Sequence, residues 1–302
     1  MSFIFDALQK SGAEQSGVEY PDVVSVLTEV FEAPQKEPAK SGPAAPDFAA
    51  MLAQESAGPA PEALVPAATA PLAVFPTLRE SVAPTSRLVF ATEPDSLAAE
   101  KFRFLGVRLR QLQQSRPLKK ILITSTIPEE GKSLVSCNLA GVLARRKQKV
   151  LLIDGDLRRP VLADEFGLGR LAGLAEWLQS DRRQLTNIYH LEGLDFWFMP
   201  AGSPPANPLE MIASKVLGQM MDQISTYFDW IIVDSPPLLP LADTTVWSRV
   251  TDGTLLVSRV GKTEKSQLLR GLEIVKKSDL IGVVLNGSMH SDRDYYQRYA
   301  PK

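Results

Sequence analysis

From Arg87 onward, short runs of wholly apolar residues alternate with longer stretches whose apolar positions recur at helical spacing. The runs at 120–125, 149–153, 196–199, 229–233, 253–258 and 281–285 predict strands. The stretches near 96–113, 132–146, 208–226, 241–249 and 264–277 predict helices. A strand that is apolar throughout, and not at alternate positions, is buried on both faces, as strands of a parallel sheet between helix layers are. The pattern therefore predicts a three-layer α/β domain with a mostly parallel sheet over residues 86–290.

The first 85 residues read differently. Two short apolar clusters come first, Phe3 to Leu8 and Val23 to Phe31, each compatible with one amphipathic helix, so 1–32 are expected to be short amphipathic segments. Eleven of the 23 prolines precede residue 85, and 41–76 are mostly Ala, Pro, Ser and Gly. Such a composition buries too little apolar surface to offset its ordering entropy, so 33–85 are expected to be a disordered, semi-extended linker. Residues 291–302 form a tail that carries Tyr295, Tyr296 and Tyr299, half of the chain's six tyrosines. The Asp, Arg and Gln around them favour exposure, which suits acceptor hydroxyls.

Composition narrows the partners. The 33 basic and 35 acidic side chains leave a net charge of -2, so there is no global polycation to hold nucleic acid. One cysteine and two histidines make neither a disulfide nor a structural zinc site, and a reducing, cytoplasmic setting is expected. No run approaches the about 18 apolar residues that span a bilayer, and the first residues lack the features of a secretory signal.

The chemistry concentrates at strand ends. ILITSTIPEEGKSLVS places a strand, a loop closing on Gly131-Lys132-Ser133, and a helix. Loop N–H groups and a helix N-terminus surround phosphates, a lysine reaches the β and γ oxygens, and a hydroxyl ligates Mg²⁺. Glu130, Gly131, Lys132, Ser133 and Leu134 are therefore expected around a nucleotide, with Thr126 where the first glycine of the usual pattern stands. VLLIDGDLRRP supplies Asp154, Asp156 and Arg158, and DWIIVDSPPLLPLAD supplies Asp234, with Asp243 beyond. In an open parallel sheet these carboxylates face the same edge as Lys132. One can hold Mg²⁺ through water while another accepts a proton. Asn286, closing IGVVLN, is a candidate to hydrogen-bond adenine. Cys137, on the helix after the loop, reads as packing.

The three segments resemble the Walker A, Walker A′ and Walker B motifs of the bacterial tyrosine kinases that accompany capsule and exopolysaccharide synthesis, over roughly residues 86–300. DSLAAEKFRFL before the first strand and AGSPPANPLEMIAS add to the likeness. The resemblance implies a P-loop NTPase fold and autophosphorylation of the C-terminal tyrosines in trans with ATP and Mg²⁺. It also implies that Lys132 polarises the phosphates, that Ser133, Asp156 and Asp234 serve the metal, and that Asp154 orients or deprotonates the tyrosine. Arg158 would assist on the phosphate or substrate side. The implied partners are further copies of the chain and a membrane-bound polysaccharide co-polymerase acting as activator, which would bring the protein to the inner face of the membrane.

Two departures stand out. Glu100 and Arg103 fit the family's E-x-x-R-x-x-R helix, associated with ring-like oligomers, but Gly106 replaces its last arginine. The rival reading, an ATPase switch of the cell-division and partitioning type, expects a signature lysine five residues before Lys132, where this chain has Ile127. A nucleotide-binding scaffold without kinase activity is the other alternative.

Overall fold

In a computed structural model of the full chain, the described residues are 28–29, 75–83, 86–180, 185–239, 241–275 and 279–287. The tail tyrosines Tyr295, Tyr296 and Tyr299, and nearly all of segments 1–32 and 33–74, lie outside them.

The strands are β1 (Thr28–Glu29), β2 (Thr77–Leu78), β3 (Lys120–Ser125), β4 (Val150–Asp154), β5 (Tyr189–Leu191), β6 (Phe196–Met199), β7 (Trp230–Asp234), β8 (Gly253–Arg259) and β9 (Leu280–Asn286). The helices are α1 (Val89–Thr92), α2 (Leu97–Ser115), α3 (Lys132–Ala144), α4 (Leu162–Glu165), α5 (Leu174–Gln179), α6 (Pro208–Ile212), α7 (Lys215–Ile224), α8 (Asp243–Ser248) and α9 (Lys265–Ile274). The sheet runs β1-β9-β8-β3-β7-β4-β6-β5-β2. It is parallel except where β5 pairs β6 and β1 pairs β9.

All six predicted strands are present within a residue at either end, because each is centred on a run of apolar residues. Their side chains alternate between two cores. Ile121, Ile123 and Leu152 pack with Phe102 and Leu105 of α2 and Leu139 and Leu143 of α3. Leu122, Leu151 and Ile153 face the other way, against Met220, Met221 and Ile224 of α7 and Trp247 of α8. A smaller cluster joins Leu256 and Val283 to Leu268 of α9. Helices thus cover both faces, and the three-layer architecture is as the apolar runs require.

Four differences from the sequence reading have physical causes. The helix expected over 208–226 is two, because Ser214 takes an extended backbone (φ -67, ψ 149) between α6 and α7. A hairpin strand, β5, precedes β6; its polar edge, Tyr189-His190, gives no apolar run. The folded domain begins before residue 86: Thr77–Leu78 pair parallel with β5, Phe75 stacks on Phe228 at 6.1 Å, and Ser81 N donates to Phe166 O at 3.0 Å. The end of the expected linker is therefore structured. Thr28–Glu29, in a cluster expected as helix, is instead a short strand on the open edge of β9.

Candidate active site

Lys132 opens α3, Asp154 ends β4 and Asp234 ends β7, and β3, β7 and β4 are neighbours in the sheet. Parallel strands leave their carboxyl ends on one edge, so residues about a hundred positions apart share one site. Gly131 makes the turn at φ +94, a left-handed conformation that glycine adopts without strain. A Cβ there would collide with the Asn286 amide.

Lys132 Nζ lies 3.3 Å from Asp156 Oδ2 and 3.6 Å from Asp234 Oδ2, and it donates to Ser133 Oγ at 3.3 Å. Ser133 Oγ donates to Asp234 Oδ2 at 2.6 Å, while Ser136 Oγ donates to Asp234 Oδ1 at 3.1 Å. Asp154 Oδ1 accepts from Asp156 N at 3.3 Å, and its Oδ2 accepts from Val161 N and Leu162 N at 3.3 and 3.2 Å.

The electrostatics follow from burial. Asp154 and Asp234 are fully buried. Burial, reinforced by the charge of Asp234, pushes the Asp154 carboxyl up to about 7. Burial also raises Asp234, against the opposing pull of Lys132 and the two serine hydroxyls. For Lys132 burial works to lower the ammonium, but Asp234, Asp156 and Asp154 outweigh it and hold it above its ordinary value. The result is a pocket with more carboxylate than one ammonium balances, which suits a cation.

These donors fit Mg²⁺ of the kind that nucleotides carry. Among the described residues no cluster of three or more acidic, histidine or cysteine groups would hold an ion unaided. Mg²⁺ is commonly held by one or two carboxylates together with phosphates and water, and Asp234 with the adjacent Ser133 hydroxyl offers hard oxygen donors of that type.

Three expected site residues are engaged by the protein itself. Glu130 turns its carboxylate inward: Oε2 accepts from Ile127 N at 2.7 Å and Oε1 from the Thr263 hydroxyl. Burial raises its pKa, opposed by those hydrogen bonds. Asn286 Nδ2 donates to Glu130 O at 2.9 Å, so the side chain expected at adenine clasps the phosphate loop from β9. Arg158 makes a two-point contact with Asp243, Nε to Oδ2 at 2.8 Å and Nη2 to Oδ1 at 3.0 Å. Leu134 faces a cavity beside α3. Thr263 is a contribution that the motifs do not announce, since it acts through a partner remote in sequence, whereas Asp243, expected beyond Asp234, acts by fixing Arg158.

Gly106 is buried, and a Cβ there would contact Leu143 and Val142 at 3.5 and 3.6 Å. That position faces a neighbouring helix, while Arg103 pairs with Glu100 in the preceding turn. Cys137 is buried in the core, and burial pushes its thiol well above the ordinary range. Among the described residues no helix is long and apolar enough to cross a membrane.

Residues 121–298 match the model of the CobQ/CobB/MinD/ParA nucleotide binding domain. The chain is 37% identical over 216 residues to the tyrosine-protein kinase YwqD of Bacillus subtilis, covering 69% of this chain and 90% of that one. It is 30% identical to the putative tyrosine-protein kinase CapB of Staphylococcus aureus, over 71% of this chain and 95% of the relative. Against the tyrosine-protein kinase etk of Escherichia coli the identity is 31%, but the match spans only 27% of that longer protein. Among solved structures, the kinase domain of Escherichia coli ETK superposes with a TM-score of 0.64 at 29% identity, over 68% of this chain and 81% of that one. The chimerical protein CapA2B2 superposes at 0.63, also at 29% identity, over 71% and 95%.

Proposed function

Because this chain belongs to the bacterial tyrosine-kinase family, built on the CobQ/CobB/MinD/ParA nucleotide-binding domain, we propose that it transfers the γ-phosphate of ATP to Tyr295, Tyr296 and Tyr299 of another copy of itself. It is a tyrosine-protein kinase with a nucleotide-binding P-loop domain; the acceptors, the residue roles and the setting are our reading. The observation that carries it is the convergence of Lys132, Asp154, Asp156 and Asp234 on one sheet edge, with the only ammonium of that group 3.3 and 3.6 Å from two of the carboxylates.

In this reading Lys132 gives up its ion pairs with Asp156 and Asp234 to bind the β and γ oxygens, which frees those carboxylates to face a metal ion. Ser133 and Asp234 hold Mg²⁺, with Asp156 at its side; the ion, when bound, neutralises charge on the phosphates. The Tyr Oη–P bond forms as the bond from the γ phosphorus to the bridging oxygen breaks, ADP leaves with that oxygen, and the phenolic proton passes to Asp154. A carboxyl poised at about 7 is suited to that exchange. The Arg158–Asp243 pair sets a guanidinium at the rim for the transferred phosphoryl group. Positioning and charge neutralisation supply most of the catalysis in phosphoryl transfer, and this site is built of little else.

The resemblance further supports regulation of exopolysaccharide or capsule polymerisation and export through a membrane-bound co-polymerase that activates the kinase, with peripheral attachment to the membrane by way of that partner and with assembly of several copies. The partitioning-type ATPase switch is disfavoured by Ile127, whose N–H is committed to Glu130 inside the loop.

The test is to incubate the purified protein with ATP and Mg²⁺, with and without a candidate activator segment, and to map phosphotyrosine by mass spectrometry. Label on the three tail tyrosines is expected. ATP hydrolysis without phosphotyrosine would favour the switch, and nucleotide binding without turnover would favour the scaffold.

A further inference from the structure

Helices α2 and α3 lie side by side, with Gly106 of the first against Leu143 and Val142 of the second. Between Glu100 and Glu129 the chain has no acidic residue, and between Glu130 and Asp154 it again has none. The layer that these helices form therefore carries basic side chains with almost no carboxylate of its own. We propose that Arg108, Arg110, Arg145, Arg146 and Lys147, with the exposed ring of Phe104, form a docking surface for the anionic headgroups of a phospholipid membrane. The inference does not depend on the kinase reading, and it gives the domain a membrane contact of its own.

The excess of charge is local, since the whole chain carries -2. Other basic residues of the same stretch are already engaged. Arg103 pairs with Glu100, Arg116 donates to Asp252 O, Lys119 donates to Ser225 O, and Lys120 reaches Asp222 and Asp252. Among the described residues none of the five proposed cations stands in an ion pair. Arg108 meets the neutral Gln111 amide at 3.5 Å and lies 5.0 Å from the centre of the Phe104 ring. Arg110 stands close enough to Arg146 that burial, and then the second charge, press its guanidinium below the ordinary value. One cation at the end of α3 complements the helix dipole. A further guanidinium brought there by α2 adds repulsion, which an external anion offsets.

The placement suits a membrane. Helix α3 starts at the phosphate loop, and its 13 residues rise about 20 Å before Arg145. Arg145 to Lys147 then lead into β4, so they lie at the amino ends of the strands, on the opposite edge from Lys132 and Asp234. Helix α2 likewise ends at Ser115, shortly before β3 begins at Lys120. A bilayer against this edge leaves the nucleotide site facing water. Phe104 is 47% exposed, a large apolar side chain left out of the core. An aromatic ring among cations is the composition of helices that lie at the boundary between headgroups and acyl chains. That ring favours lipid over nucleic acid, as does the number of cations, five against the about six to ten phosphate contacts of a DNA-binding surface.

Each Lys or Arg close to an anionic bilayer strengthens binding about fivefold. The attraction fades over about 10 Å at 0.1 M salt. A handful of cations and one ring thus give a reversible attachment, one that adds to any hold supplied by a membrane-bound partner.

The experiment uses the full-length protein and two kinds of vesicle, phosphatidylcholine alone and phosphatidylcholine with phosphatidylglycerol in equal parts. Co-sedimentation gives the partition coefficient. The protein should bind the mixed vesicles, bind the neutral ones weakly, and be released as salt rises from about 0.1 to about 0.5 M. Arg108 and Arg146 are exposed, so Arg108→Glu combined with Arg146→Glu leaves the core alone. That variant should lower the partition coefficient about twentyfold or more, with ATP affinity by calorimetry unchanged. Phe104→Ser should lower it less and leave the salt dependence as it was. Lys215→Glu combined with Arg249→Glu changes the net charge equally from exposed positions on and beside α7 and α8, and should move it by no more than about twofold. If both charge pairs weaken binding alike, net charge and not this surface is responsible, and the proposal falls. It falls too if neither pair matters. Unchanged vesicle binding with altered self-association, measured by sedimentation velocity without lipid, would mean that the surface meets another copy of the chain instead.

Discussion

Arg158 and Asp243 lie 85 residues apart in the chain and meet through two hydrogen bonds, at 2.8 and 3.0 Å, across the edge of the site. Asp243 is 2% exposed and stands at the start of α8, so its carboxylate is fixed by the fold. A two-point contact orients a guanidinium as one hydrogen bond does not. Asp243→Asn should therefore lower autophosphorylation by about one to two decades while ATP affinity changes little. Arg158→Ala should do the same, and the double substitution should be no worse than either single one, since the pair acts as a unit. Steady-state rates on the four proteins of the cycle provide the check.

Lys132→Met should abolish phosphotransfer, and it should also affect the fold. The ammonium is enclosed with Asp156 and Asp234, and removing it leaves buried carboxylates without their counter-charge. Loss of one partner from a buried ion pair costs about 3–5 kcal/mol, less where the remaining carboxylate protonates. The metal-free variant should melt well below the parent at pH 8 and approach it at pH 5. Equal melting temperatures across that range would show that the lysine is not electrostatically coupled to the aspartates.

Asp154 titrates at about 7 in the fold against 3.8 for an ordinary aspartate. Between those values the folded protein binds more protons than the unfolded one, so this group contributes stability that is full below about 4 and is lost as the pH rises through about 7. Thermal melts of the metal-free protein should fall over that window, and Asp154→Asn should flatten the fall. Activity should run the other way, increasing as Asp154 ionises.

Truncation locates the domain start. Removing 1–74 should leave a cooperative melt and ATP binding intact. Removing 1–85 also deletes β2, its hydrogen bonds with His190 and Glu192, and the Phe75 ring stacked on Phe228. That extra loss should cost about 1–3 kcal/mol from the aromatic burial alone. Calorimetry of the two truncated proteins separates the cases.

Much of this was legible in the order of residues. The six inner strands are apolar on both faces, and Lys132, Ser133, Asp154 and Asp234 sit at or just beyond the ends of three of them, where parallel topology brings them together. The edges were not legible. Tyr189-His190-Leu191 and Thr77-Leu78 are short, partly exposed pieces without a periodic signal, and the second lies inside a region whose average composition argues for a linker. The loop's supports were equally hidden. Glu130 looked like a phosphate-side residue, but its partners Thr263 and Asn286 lie 133 and 156 residues away, and only folding puts them within reach. Local chemistry names the groups that meet a ligand; the groups that hold them still are set by contacts between distant parts of the chain.

The first two turns of α3 carry Lys132 and Ser133 at the phosphate side, and Ser133, Leu134 and Cys137 along the wall of the cavity. A helical turn is stiff, so the two sides cannot shift independently: whatever moves the loop on nucleotide binding moves a wall of the cavity. Linkage then makes the effect reciprocal, so that if ATP tightens the hold on a group in the cavity by some factor, that group tightens the hold on ATP by the same factor. An occupant of the cavity would in that case slow nucleotide release, and the lifetime of bound ATP would report whether the cavity is filled.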